Sequence, residues 1–313
     1  MVLNTQRIRS LLLAWYSEHF RALPWRIDVT PYHVWISEIM LQQTRIEAVL
    51  PYYARFIDAI PDIQTLATVP ESELLKLWEG LGYYSRARNL QKAARVVVDR
   101  YNGELPADYE CLLSLPGVGE YTAGAIASIA FSIPVPAVDG NVMRVLSRLF
   151  GENTDVLSSA GKKLFTDLAW GLVPEQQPGR FNQALMELGE IICTPKGTPR
   201  CAECPLRTEC RALAEQRVEE LPVRIKKTKR RIEKRMVLLA KAVGGNELMV
   251  LLHRRENSGL LAGLWELPNT LSEDVLDALD PSLRGFCRYL GELPEGKHLF
   301  SHIEWQMTGI CTR

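Results

Sequence analysis

Apolar positions recur every three to four residues through the first two-thirds of the chain, and the pattern changes near residue 235. Segments 73–79, 86–100, 121–131, 141–150 and 160–172 each carry one apolar stripe at helical spacing. Pro51, Pro61, Pro70, Pro106, Pro116, Pro134, Pro136 and Pro174 punctuate them, since proline has no N–H for the helical ladder. The pattern predicts an all-α region of about ten short helices between residue 5 and about 215. Beyond residue 235, MVLLAKAV (236–243) and ELMVLLHRR (247–255) flank Gly244, Gly245 and Asn246, which predicts a β-hairpin. Segment 271–280 reads as a short helix and 298–310 as another strand. The second domain is thus α+β, and because the chain stops just after a strand it is expected to be incomplete.

Bulk properties narrow this picture only a little. A chain of 313 residues exceeds one ordinary core, and 47% hydrophobic with 24% charged residues excludes wholesale disorder. The formal net charge of zero points to no particular partner, so any nucleic-acid reading must rest on motifs. One charged run stands out: VRIKKTKRRIEKR (223–235) holds eight Lys or Arg, a solvated linker or a contact to a DNA backbone. The N-terminus reads as an amphipathic helix and not as a signal peptide. No apolar run reaches the roughly 18–20 residues that span a bilayer, so the expectation is a cytoplasmic protein without a membrane partner.

Four of the seven cysteines, Cys193, Cys201, Cys204 and Cys210, fall in one short stretch spaced C-x7-C-x2-C-x5-C. Four thiolates in a chain without a secretion signal indicate metal ligation before disulfides. Structural zinc usually takes two close cysteine pairs, and only one is present, so the spacing favours a [4Fe–4S] cluster over zinc. Lys196, Arg200, Arg207 and Arg211 surround these cysteines.

Two carboxylates are candidates for chemistry. In YHVWISEIMLQQT (32–44), Tyr32, Trp35, Ile36, Ile39 and Met40 form one apolar helix face, and Glu38 lies opposite between Val34 and Leu41. A helix apolar nearly all round is buried, so Glu38 becomes a desolvated carboxyl of raised pKa, suited to act as a general acid. A buried Glu paired with an arginine is the plainer role. In LPGVGEYTAGAIASIAF (115–131), Gly117 and Gly119 precede a helix beginning near Tyr121, so bare N–H groups there can hold a phosphate; an ordinary interhelix turn has the same signature. Some twenty residues on, in PAVDGNVMRVL (136–146), Asp139 precedes a helix. It reads as an N-cap, or as a carboxylate able to stabilise a sugar cation.

These segments together resemble the helix-hairpin-helix DNA glycosylases, and among them the adenine DNA glycosylases of the MutY type. The resemblance rests on Leu23-Pro-Trp-Arg26, SEIMLQQTR (37–45), EGLGYYSRARNLQKAA (79–94), LPGVGEYTAGAI (115–126), VDGNVMRVL (138–146), RFNQALMELG (180–189) and the four cysteines. It implies a monomeric, nucleoid-associated enzyme of base excision repair. Adenine opposite 8-oxoguanine or guanine in double-stranded DNA would be flipped from the duplex and removed by hydrolysis. Glu38 would protonate the leaving base and Asp139 would stabilise the oxocarbenium-like sugar, as in two-carboxylate glycoside hydrolysis. Tyr121 and Asn141 match positions that orient Asp139 or the water, and Arg26 matches a base-pocket residue. Gln43, Thr44 and Tyr83 match residues that fill the gap opposite the flipped base, although Tyr83 also fits a core role.

The resemblance also implies a division of the chain. Residues 1–222 would be catalytic, with a six-helix lobe at about 27–133 and an iron–sulfur lobe from about 1–26 plus 134–222. Residues 223–235 would be a basic linker, and 236–313 a Nudix-like, lesion-recognising domain. GLLAGLWELP (259–268) and Phe300-Ser301-His302 carry that last likeness, the hydrolase box is missing, and Ser301 and His302 would touch the lesion. His302 as a buried strand residue is the alternative. The first cysteine gap is one residue longer than usual in the family. Two other functions compete: an endonuclease III-like glycosylase and lyase, which needs a lysine where Tyr121 stands, and a non-catalytic iron–sulfur DNA-binding protein.

Overall fold

The computed structural model describes residues 4–313 except 226–229, 245–246, 257–258, 272–273, 280–284, 286 and 301. The chain forms two compact units that divide between Ile225 and Lys226. The first is all-helical. It opens with α1 (Thr5–His19), α2 (Pro24–Ile27), α3 (Pro31–Leu41), α4 (Ile46–Ala59), α5 (Ile63–Thr68), α6 (Glu71–Leu77) and α7 (Ser85–Tyr101). It continues with α8 (Tyr109–Leu113), α9 (Glu120–Phe131), α10 (Gly140–Phe150), α11 (Ser159–Leu172), α12 (Pro178–Ile191) and α13 (Arg211–Ala214). Short polar residues start many of them. Asn4, Thr30, Asp62, Asp108, Asp139 and Ser158 each accept from a backbone N–H of the first turn.

These thirteen helices exceed the expected ten or so, because one-turn helices such as α2 and α13 are too short to show a period. Pro51 also corrects the reading, since it lies inside α4 and does not end it. One ladder bond is lost there, while Val49, Tyr53 and Phe56 bury the face that holds the helix in place.

Two hydrophobic cores form within the helical unit. One gathers residues from Leu23 to Val135, including the fully buried Trp35, Phe56 and Trp78. The other joins α1, through Ile8, Leu12 and Tyr16, to Val145, Phe165, Phe181 and Leu185 from α10–α12. Glycines permit close approach at two points that matter for the site. Gly117 adopts φ +76°, and a Cβ there would come within 2.6 Å of the Asn89 side chain. Gly189 on α12 lets Asn141 approach where a Cβ would stand 2.7 Å from the Asn141 Cβ.

The second unit is built on β1 (Arg231–Gly244), β2 (Glu247–Val250), β3 (His253–Arg254), β4 (Trp265–Glu266), β5 (Asn269–Thr270), β6 (Tyr289–Leu299) and β7 (Ile303–Thr312). Its main sheet runs β2-β1-β7-β6, with β5 also on β1, and β3 pairs with β4 separately. The β1–β7 pairing is parallel and the others are antiparallel. The expected hairpin is β1–β2, with Gly244 opposite Glu247; its turn residues 245 and 246 lie outside the described residues.

Three sequence expectations change here. Residues 231–235 begin β1 and are not linker: Glu233 is buried, accepts from Arg235 at 2.8 Å and from the Trp305 indole at 3.0 Å, so a charged run hides a paired strand. The strand expected over 298–310 corresponds to the end of β6 at Leu299 and to β7 from Ile303; Phe300 and His302 lie in neither strand, and Ser301 is outside the described residues. Among the described residues of 271–280, a 3-10 turn (Val275–Ala278) stands where a helix was expected.

Candidate active site

The cavity that matters lies between the two cores of the helical unit. About 260 Å³ in volume, it is lined by Arg26, Glu38, Thr44, Tyr121, Asp139, Asn141, Gln183 and Glu190, with Leu23, Trp25, Leu41 and Met186 as apolar wall. A mixed wall with a few convergent polar groups suits a flat heteroaromatic ligand.

Helix α3 delivers Glu38 because Thr30 and Pro31 set its start and nearly every side chain on it is buried. Glu38 is only 6% exposed. Burial pushes its carboxyl up to about 7, and the nearby Asp139 adds to the rise. Tyr121 and Arg26 pull the other way. Among the described residues no arginine forms an ion pair with Glu38. Its partner is the Tyr121 hydroxyl, which donates to Oε2 at 2.5 Å and is itself held protonated far above the usual phenol range by burial.

Asp139 caps α10, accepting on Oδ1 from the Asn141 and Val142 N–H groups at 2.9 and 2.7 Å, and it also faces the cavity. The Asn141 side-chain amide donates to Oδ2 at 2.9 Å. Burial raises this carboxyl as well, but these donors and Arg144 work against the rise. The Asn141 side chain thus bonds Asp139, whereas the Tyr121 hydroxyl bonds Glu38.

Arg26 pairs with the fully buried Glu187 at 2.9 Å, and Arg21 joins the same carboxylate while bonding Glu190 at 2.7 Å. At the hairpin, Gly117 turns left-handed and Gly119 immediately precedes α9, with open space where its Cβ would be. Both glycines are exposed, and the Val118 N–H between them donates to the Leu115 carbonyl at 3.1 Å. Thr44 lines the cavity, whereas Gln43 and Tyr83 stand exposed at two separate turns, both with left-handed backbone. Ser301 lies outside the described residues; His302 is exposed in the bend between β6 and β7, not buried in a strand.

Sequence reading overlooked Glu187, Gln183, Arg144 and Arg86. The first two occupy one face of α12 at i and i+4, a usable signal once that helix is placed. Arg144 and Arg86 bond mainly to backbone carbonyls, which no side-chain pattern reveals.

The four clustered cysteines are partly buried and free of disulfides. Among the described residues no three His, Cys, Asp or Glu side chains close around one ion. All four thiols nevertheless lie near enough to feel one another's charge, and burial pushes Cys204 up to about 12. Arg148 donates to the Cys193 sulfur at 3.2 Å, and Arg144 to the Cys193 carbonyl at 2.7 Å. Partly buried thiols gathered in this way, with the Arg148 cation beside one of them, fit a positively charged multi-iron centre.

A family model described as "HhH-GPD superfamily base excision DNA repair protein" matches residues 36–174, and a NUDIX domain model matches 238–313. The helical unit resembles a solved thermostable thymine-DNA glycosylase at 32% identity and TM-score 0.62, over 67% of this chain and 97% of that one. An endonuclease III–DNA covalent intermediate is similar at 28% identity and TM-score 0.57, over 69% and 99% of the two chains. Fold and site thus define a helix-hairpin-helix base-excision glycosylase. The adenine DNA glycosylase of Mus musculus is 39% identical over 97% of this chain and 70% of its own length, and that of Homo sapiens 37% over 99% and 68%. The same enzyme of Buchnera aphidicola (Baizongia pistaciae) is 36% identical over 93% and 82%. The chain belongs to the adenine DNA glycosylase family.

Proposed function

We propose that the protein excises adenine mispaired with 8-oxoguanine or guanine from double-stranded DNA, as a monofunctional glycosylase. The observation that carries this is a buried Glu38, its carboxyl pushed up to about 7 and held by Tyr121, in one cavity with Asp139. A flipped adenine enters the cavity, and Glu38 delivers its proton to N7 of the base. The C1′–N9 bond then breaks, its electron pair leaving with a neutral adenine. Positive charge develops at C1′ and the ring oxygen, where the Asp139 carboxylate stabilises it. Water adds to C1′, and the proton it releases returns to Glu38. The products are adenine and an abasic site.

Lyase chemistry requires an amine, and residues 115–126 contain no lysine. Side-by-side excision from A:8-oxoguanine, A:G and thymine-glycol duplexes tests the substrate. Release from the first two with an intact strand is expected; release of thymine glycol with borohydride-trapped protein would establish the endonuclease III-like activity instead.

Cys193, Cys201, Cys204 and Cys210 would hold a [4Fe–4S] cluster, which supplies a rigid cross-link for the loop carrying Lys196, Arg200 and Arg207. Four iron and four sulfide per chain are expected; stoichiometric zinc would exclude the cluster. His302 and Ser301 are assigned to contact with the oxidised guanine, and replacing His302 with Ala is expected to narrow the preference for 8-oxoguanine over guanine.

A further inference from the structure

The two turns that carry Gln43 and Tyr83 are far apart in sequence and share one buried cation. Arg86, on the first turn of α7, sends Nη1 to the carbonyls of Ile39, Met40 and Gln42 at 2.8, 3.0 and 2.7 Å. Its Nη2 reaches the carbonyls of Leu81 and Gly82 at 3.1 and 3.2 Å. The first three acceptors are carbonyls at the end of α3, which have no helical partner and favour a cation. The last two belong to the turn before α7.

The register of these bonds is informative. Gln42, gripped through its carbonyl, immediately precedes Gln43 at φ +60°; Gly82, gripped likewise, immediately precedes Tyr83 at φ +48°. Left-handed backbone is unfavourable for a non-glycine residue and persists only where its surroundings impose it. Arg86 bonds the peptide ahead of each strained residue. Its guanidinium also lies 5.7 Å from the Tyr83 ring centroid and 5.3 Å from that of Trp78, whose indole donates to the same Gly82 carbonyl at 3.1 Å. Tyr83 remains 52% exposed, so these contacts aim the ring and do not bury it.

We propose that Arg86 is a positioning residue for mispair recognition: it holds the Gln43 and Tyr83 turns in strained conformations at a fixed separation, so that both meet the strand opposite the flipped base as one preformed unit. The inference rests on the reading of those two residues as DNA-facing. Arg86 itself touches no DNA. A lysine cannot replace it, because a single ammonium cannot span two turns with five acceptors.

The test is a double-mutant cycle of Arg86→Lys and Tyr83→Ala. It is read as the Kd for a duplex with 2′-fluoroadenosine, which resists cleavage, opposite 8-oxoguanine. Arg86→Lys is expected to weaken binding about tenfold at a nearly unchanged melting temperature, and Tyr83→Ala to add less than about twofold in that background. Unchanged binding by Arg86→Lys, or full additivity of the two changes, overturns the inference. Gly82→Ala covers the case in which Arg86→Lys does not fold: Gly82 has φ +70° and open space around its missing Cβ, so the change strains the Tyr83 turn alone. It is expected to weaken binding about threefold, and wild-type binding would overturn the inference. Wild-type protein that releases no adenine from the cleavable A:8-oxoguanine duplex would refute the functional reading. Release with an additive cycle would refute only the role of Arg86.

Discussion

Glu38 and Asp139 line the same cavity, yet the two lobes that carry them treat a carboxyl group differently. Glu38 projects from the middle of α3, where the backbone has no N–H to spare, and receives a single hydrogen bond. Asp139 sits at the start of α10, where free N–H groups are concentrated, and receives three. Burial raises both carboxyls. Donors that favour the anion are more numerous on Asp139, where they oppose the effect of burial. In the proposed mechanism, position on a helix, interior against N-terminus, is what distinguishes the acid from the electrostatic stabiliser.

Removing the proton donor breaks this contrast most severely. Glu38→Gln is expected to lower single-turnover adenine release by about 10³-fold or more while DNA binding persists. Release at the wild-type rate would remove Glu38 from the chemistry. Asp139→Asn keeps an oxygen to cap α10 but deletes the charge, and a loss of about 10²-fold is expected in the same assay. An unchanged rate there would reduce Asp139 to a cap.

Acidity gives a finer test. Because Glu38 acts in its protonated form, the rate should fall as pH rises through about 7. The Tyr121 hydrogen bond lowers the pKa of Glu38, so Tyr121→Phe should move that alkaline limb to higher pH, with a loss at pH 6 of no more than about tenfold. A limb that moves down would contradict the assignment of this bond.

The smallest effect is on stability. A carboxyl whose pKa is raised on folding contributes stability that is complete below its ordinary value of 4.5 and lost as pH passes through about 7. At pH 8 the wild-type protein therefore buries a carboxylate at a cost that Glu38→Gln avoids. The variant should melt higher at pH 8 by the equivalent of about 3 kcal/mol, with no comparable gain at pH 4. Equal gains at both values would attribute the effect to packing.

Much of this was legible in the chain because it is local. Helix periodicity placed Glu38 on a buried surface, the Val138-Asp139-Gly140 step announced a capped helix, and the cysteine spacing marked one loop. Residues 231–235 show the limit: alternating charges looked like linker until β7 supplied the pairing that makes them a strand. Which carboxyl Tyr121 serves, how Arg26 reaches Glu187, and which carbonyls Arg86 and Arg144 satisfy were decided by the tertiary structure alone. Residue order sets backbone periodicity and the location of free N–H groups, which depend on near neighbours. Hydrogen bonds between a side chain and a carbonyl tens of residues away depend on where packed helices end, and no short stretch of residues encodes that.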